Sequence, residues 1–255
     1  SPLFIYNKRD LSSYLTPKGL LRRLLHAYLL KKEIGRKIML LNQSSHYVLL
    51  SKAYVPEFCT LVGFENDGKV TYINNPVMLQ PIHPDRIKRK ENILLYVGRL
   101  IKVWDKISKE LPTDWQFIIV GDGPERSRLE RLSVTLQLKN IRFEGFRDPK
   151  PYYERAKLFI MMSKYEGWGL TLCEAMSQGV VPIVLNSFSA AQDIIKDRIN
   201  GFLVPDEQVC CQQLMQLMHN SQQIEDMSMQ AVAHTQKYSI ENIIPQWENL
   251  LNNCK

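Results

Sequence analysis

Glu166 and Glu174 stand eight residues apart in the stretch Tyr165-Glu166-Gly167-Trp168-Gly169-Leu170-Thr171-Leu172-Cys173-Glu174-Ala175-Met176. Ahead of them the apolar run Leu158 to Met162 has the length and content of a buried strand, and Leu170 to Gln178 reads as a short helix closed by Gly179. The glutamates therefore bracket a strand-to-helix turn, and in open α/β sheets ligands bind in crevices at the carboxyl ends of strands. Gly167 and Gly169 let main chain come close to a ligand, and the amides of Leu170 and Thr171 are helix-start donors suited to phosphate oxygens. Carboxylates accept hydrogen bonds from hydroxyls, so two of them beside an anion cradle point to a polyol joined to a phosphate. A fully helical path would separate their backbones by roughly 12 Å, at about 1.5 Å per residue. That separation suits two ends of one ligand rather than a shared proton, so they are not an acid/base pair of the glycosidase type.

The elements that must position these residues follow from the pattern after Glu91. Strands are expected at Ile93 to Val97, Gln116 to Val120, Ile141 to Glu144, Leu158 to Met162, Val181 to Leu185 and Gly201 to Val204. Between them fall helices at Ile101 to Glu110, Glu125 to Leu136, Tyr152 to Ala156, Leu170 to Gln178 and Ala190 to Lys196, with further helices from Glu207 to the end. Such alternation with short connections marks a doubly wound parallel sheet. Before it the signals are a helix over Lys18 to Lys32 with Thr16 as N-cap and Pro17 at the first helical position, and a strand at His46 to Leu50. A helical turn near Ala53 to Phe58 and a strand at Lys69 to Ile73, ended by Asn74-Asn75-Pro76, complete this portion.

Three further segments sit where strands should end: Tyr96-Val97-Gly98-Arg99-Leu100, Val120-Gly121-Asp122-Gly123-Pro124 and Phe143-Glu144-Gly145-Phe146. Taken in order with Glu-x7-Glu, the Gly-x-Gly after the first glutamate and the Glu-Ala-Met at the second, they resemble the signature of retaining family-4 glycosyltransferases of the GT-B fold. The resemblance runs from about Asn92 to Asp206 and more loosely to the C-terminus. It implies an α/β chain of GT-B type, with a Rossmann-like C-terminal domain over 77–238 that binds a nucleoside-diphosphate sugar. Residues 1–76 would be a curtailed, Rossmann-like remnant of the acceptor-side domain and crossover, and 239–255 a last helix returning to it with Trp247 as an anchor. It also implies donor binding by Gly98, Arg99, Gly121, Asp122, Gly123, Phe146, Arg147, Glu166, Gly167, Trp168, Gly169, Leu170, Thr171 and Glu174, with Glu166 and Arg99 catalytic.

Transfer breaks the bond from the anomeric carbon to a phosphate oxygen, so negative charge grows on the diphosphate and positive charge on the ring. Arg99 would grip phosphate oxygens, with the helix-start amides adding their field. Glu166 would accept from donor-sugar hydroxyls and Glu174 from the ribose. Phe146 and Arg147 lie where family members touch the base, and Trp168 either packs over the sugar or props the loop. With such donors no metal or cofactor is required. Two departures stand out: the N-terminal part is too short for a full Rossmann half, and the loop after Leu100 is short of the family's by about ten residues, a length judged against ordinary βα loops. A truncated or proteolysed form of a longer protein, or a chain without its mobile segments, would account for both.

The 255 residues carry net charge +7, and in residues 1–50 nine cations face only Asp10 and Glu33, which accounts for the whole excess. On the helix over 17–32, Leu20, Leu21, Leu24, Leu25, Tyr28 and Leu29 share one face and Arg22, Arg23 and His26 the other. Either that helix packs on a core, or it meets anionic lipid headgroups or a lipid-linked acceptor. No apolar run approaches a membrane span of roughly 20 residues, no leader is visible, and the five cysteines lack a disulfide pattern, so the chain is expected in the cytosol, with peripheral contact at the membrane's inner face as an option. The acceptor, a glycan or lipid-linked molecule, is unspecified. The rival functions are a nucleotide-sugar epimerase, a donor-binding module without catalysis and, last, a nucleic-acid binder, which lacks any recognition module.

Overall fold

A computed structural model describes residues 17–96, 102–107 and 114–253. Helix α1 (Pro17–Gln43) runs eleven residues beyond the expected end. Nothing after Lys32 stops it: Gly35 costs a helix about 1 kcal/mol without breaking it, and Ile34, Ile38 and Leu41 continue a row at helical spacing. Leu41 is the residue that docks, buried against Phe58 and Val70. Strand β1 (Tyr47–Leu49), helix α2 (Tyr54–Val62) and strand β2 (Val70–Tyr72) then form one βαβ unit. Its strands pair in parallel, Tyr47 with Val70 and Leu49 with Tyr72. A parallel pair needs a crossover, which α2 supplies. Gly63 ends that helix at φ 65°, and its amide bonds back to the last turn.

The chain crosses through a four-residue helix α3 (Pro84–Ile87), not foreseen from sequence, whose N-terminus His83 caps by accepting from Asp85 N at 3.4 Å. Strands β3 (Glu91–Tyr96), β4 (Gln116–Val120), β5 (Ile141–Gly145), β6 (Ala156–Met161), β7 (Val181–Leu185) and β8 (Phe202–Val204) follow. Between them lie α4 (Lys102–Ile107), α5 (Arg126–Thr135), α6 (Lys150–Arg155), α7 (Leu170–Ser177) and α8 (Ala190–Ile194). The six strands form one sheet in the order β5-β4-β3-β6-β7-β8, every pair parallel. This is the doubly wound order, with its reversal between β3 and β6.

Period-two alternation splits each strand between two cores. Ile93, Leu95, Phe159 and Met161 face α7 and α8 on one side. Leu94, Tyr96, Leu158 and Ile160 face α4 on the other. Strands apolar on both faces are what a parallel sheet covered by helices requires, and each fully buried side chain of this size contributes about 1.5–3 kcal/mol. Met161 and Met176 are core residues, and Met162 packs half-buried against the second cluster.

Helices α9 (Glu207–Met218) and α10 (Ser221–Thr235), a short 3-10 helix (Gln236–Tyr238) and α11 (Ile240–Asn252) follow to the end of the described residues. Tyr238 O accepts from Val77 N at 2.8 Å, so the C-terminal segment meets the crossover. The anchor there is Tyr238, 1% exposed, and not Trp247 as expected. Trp247 is 39% exposed on a helix whose buried residue is Ile243, because Ile244, Trp247 and Leu251 sit on its outward face.

Candidate active site

In a parallel sheet every strand ends on the same edge, so one line of loops gathers there: those after β5, β4, β3, β6 and β7. Helices leave β3 and β6 toward opposite faces, opening the crevice between them. Gly98 and Arg99, just past β3, lie outside the described residues.

After β6 the loop carries Glu166 and ends at Gly169, whose φ of 92° is a conformation L side chains rarely adopt. The first bonds of α7 run from Leu172 N and Cys173 N to Gly169 O. The amides of Leu170 and Thr171 ahead of them are therefore end donors of the helix. Trp168 is 2% exposed and meets Tyr238 edge-on, ring centroids 5.1 Å apart, so its indole packs beneath the loop between the two flanking glycines.

The two carboxylates open on different neighbours. Glu174, half-buried on α7, has its pKa raised first by burial and then by the charge of Asp148. Beneath it the fully buried Tyr153 hydroxyl has no hydrogen-bond partner among the described residues, and its pKa is raised by burial, then Glu174, then Asp148. Glu166 instead lines a cavity of about 710 Å³ between α2 and the loops after β6 and β7, walled also by Tyr54, Glu57, Tyr165, Phe188 and Ser189. Tyr54 OH donates to Glu166 O at 2.6 Å, so the first βαβ unit holds the loop from across the cleft. Burial is the largest cause raising the Tyr54 pKa, with Glu57 and Glu166 adding to it. Ser189 Oγ donates to the Glu57 carboxylate.

Phe146 is 91% exposed beyond β5, a large aromatic face turned to solvent at the sheet edge. Arg147 beside it is held by Glu144, its Nε 3.1 Å from the carbonyl oxygen and 3.8 Å from the carboxylate. Gly121, at φ 134°, donates to Gly145 O at 2.8 Å and ties the ends of β4 and β5 together. Asp122 is exposed and pairs with Arg126 at 3.5 Å, and Gly123 has open space around it. Among the described residues no three His, Cys, Asp or Glu side chains converge as a metal set.

Sequence reasoning missed Tyr54, Glu57, Ser187, Ser189, Asp148 and Tyr153. The serines carried a usable signal, since they follow β7 on the ligand-binding edge. Tyr54 carried none, being brought to Glu166 from 112 residues away.

With this geometry in place, comparison with known proteins identifies the chain's relatives. An uncharacterised glycosyltransferase of Haemophilus influenzae is 29% identical over 198 residues, 72% of this chain and 55% of that protein. A Campylobacter jejuni protein named GalNAc-alpha-(1->4)-GalNAc-alpha-(1->3)-diNAcBac-PP-undecaprenol alpha-1,4-N-acetyl-D-galactosaminyltransferase is 28% identical over 196 residues, 70% of this chain and 55% of that one. The chain thus spans about half the length of the curated relatives it matches. The crystal structure of Anabaena HepE in complex with UDP and glucose shares the fold, with a TM-score of 0.73 at 20% identity over 87% of this chain and 67% of that one. The family model described as glycosyl transferases group 1 matches residues 82–234, more than half of the sequence, and the chain belongs to that family.

Proposed function

We infer that the protein transfers a sugar from a nucleoside-diphosphate donor to an acceptor hydroxyl with retention of anomeric configuration. The observation that carries this reading is the separation of the two glutamates. Glu174 lies toward the β5 side with exposed Phe146, where a base and ribose fit, and Glu166 lies in the cavity, where the donor sugar fits. The helix-start amides of Leu170 and Thr171 fall between them and suit the diphosphate. The presence of UDP and glucose in the HepE complex supports the same class of donor.

In the reaction the acceptor oxygen bonds to the anomeric carbon while the bond to the diphosphate oxygen breaks and its electron pair leaves with the diphosphate. Attack from the face the diphosphate leaves lets a phosphate oxygen take the hydroxyl proton, which requires no protein nucleophile. Arg99 and the α7 amides stabilise the charge on the leaving group. A thermal-shift panel of UDP, GDP, ADP and their sugars tests donor binding, because a ligand of the native state raises Tm by mass action. One nucleotide family is expected to raise Tm and Arg99→Ala to remove most of the shift; no response to any of them would contradict the reading.

A peripheral membrane contact is a second reading, favoured by exposed apolar residues on the basic helix: Tyr28 is 65% and Leu29 50% exposed. No helix among the described residues is long and apolar enough to cross a membrane. Co-flotation with anionic vesicles and not neutral ones is the expected result, and flotation with neither would exclude it.

A further inference from the structure

We propose that the Glu57 side of this cavity, across from the donor sugar at Glu166, is the acceptor subsite and that it takes a neutral, hydroxylated sugar ring, selected against phosphate-bearing acceptors by Glu57. This rests on the transferase reading above. The cavity, about 710 Å³, falls within the range of small-molecule sites, roughly 300–1,000 Å³. Tyr54, Tyr165 and Phe188 give it apolar walls, and its polar groups are the Glu57 and Glu166 carboxylates with nearby hydroxyls such as Ser189.

That composition discriminates between acceptor classes. Two carboxylates on one cavity repel an anionic group, so a polyol phosphate, sugar phosphate or uronate is disfavoured there. A lipid chain would seal Glu57 against hydrocarbon with Ser189 as its one hydrogen-bond partner among the described residues, and burying an underpaired charge is costly. A neutral pyranose satisfies both halves of the lining: its hydroxyls donate to the Glu57 carboxylate, while its C–H faces lie on the aromatic rings. Glu57 sits on α2 and Glu166 on the loop after β6, so the first βαβ unit supplies the acceptor-side carboxylate. Tyr54 is a positioning residue, acting through Glu166 O.

The test uses the full-length protein with UDP-glucose and UDP-N-acetylglucosamine, measuring UDP release. The acceptors offered are methyl glycosides of neutral hexoses and N-acetylhexosamines, glucose 6-phosphate, glycerol 3-phosphate and farnesol. A neutral glycoside is expected to exceed the phosphorylated acceptors and farnesol in kcat/KM by at least about tenfold. Glu57→Lys should shrink that ratio about tenfold, chiefly through KM for the neutral glycoside. If Glu57→Lys does not fold, Glu57→Gln should raise the same KM while kcat changes little. Equal or better turnover of a phosphorylated acceptor or of farnesol, or a ratio that Glu57→Lys leaves unmoved, overturns the proposal. Donor hydrolysis that no neutral glycoside accelerates overturns the acceptor assignment alone. Absence of both donor binding and hydrolysis removes the transferase reading and this proposal together.

Discussion

Glu174 carries a consequence that pH can read. Burial and Asp148 hold its carboxyl above the ordinary range, so it takes up a proton while an exposed glutamate is still charged. If its carboxylate accepts from the ribose, donor affinity should fall early on acidification from about pH 7 toward about pH 4.5, and Glu174→Gln should flatten that decline. Titration calorimetry across that range checks both. His234 makes a stability prediction. Burial, then Lys237, pushes its pKa down to about 4, while Asp193 O pulls the other way. The unfolded chain binds that proton near pH 6.5 and the folded one only near 4, so this contribution is full above about 6.5 and lost as pH falls toward about 4. Allowing for partial exposure it amounts to about 1–2 kcal/mol, read from urea midpoints of the wild type and His234→Gln. At this scale the sequence exposed those site residues that lie in one run. Glu166, Gly169 and Glu174 are adjacent along the chain and were legible from strand, glycine turn and helix. Glu57 and Tyr54 belong to the site only through tertiary contact, and no local pattern marks them.

Among the elements, Lys90 explains a boundary that periodicity misplaced. Strand β6 begins at Ala156, directly after α6, two residues before the apolar run that marks it in sequence. The reason is a buried lysine: Lys90 Nζ donates to Tyr153 O at 2.7 Å, Ala156 O at 2.9 Å and Glu154 O at 3.2 Å. One side chain thus ends the helix and starts the strand. Burial lowers its pKa to about 7, and it remains a donor in either protonation state. Lys90→Met should cost about 2–4 kcal/mol by leaving buried carbonyls without a donor, measured by urea unfolding; a cost under about 0.5 kcal/mol would show that water replaces the amine. The long apolar strands were easy to read because both their faces are buried. Short elements were not, since α3 has four residues and rests on a His83 cap rather than on any period.

For the whole molecule, Asp193 joins the parts. Its carboxylate accepts from Ser51 Oγ and, at 3.2 Å, from Ala53 N in the first βαβ unit. Its carbonyl accepts from Tyr238 OH at 2.9 Å and Lys237 Nζ at 3.2 Å near the C-terminus. Asp193→Ala should cost about 1–3 kcal/mol by leaving the buried Ser51 hydroxyl without the acceptor it donates to. It should also separate the unfolding of the small unit from that of the large sheet, so that Trp fluorescence and circular dichroism no longer coincide. Coincident transitions would show that the two parts are coupled elsewhere. The sequence indicated a doubly wound sheet preceded by a short strand, a helical turn and a second strand. It did not reveal the joint, since Ser51 and Asp193 are 142 residues apart.

If the two glutamates hold different ends of one nucleotide sugar, a binding comparison separates their roles directly. Whichever of UDP, GDP or ADP raises Tm is titrated, alone and as its sugar conjugate, into the wild type, Glu174→Gln and Glu166→Gln. Glu174→Gln should weaken both ligands alike, by about tenfold, and Glu166→Gln should weaken the conjugate while leaving the bare nucleotide unchanged. Equal loss of both ligands in Glu166→Gln, or no loss in Glu174→Gln, would contradict the account.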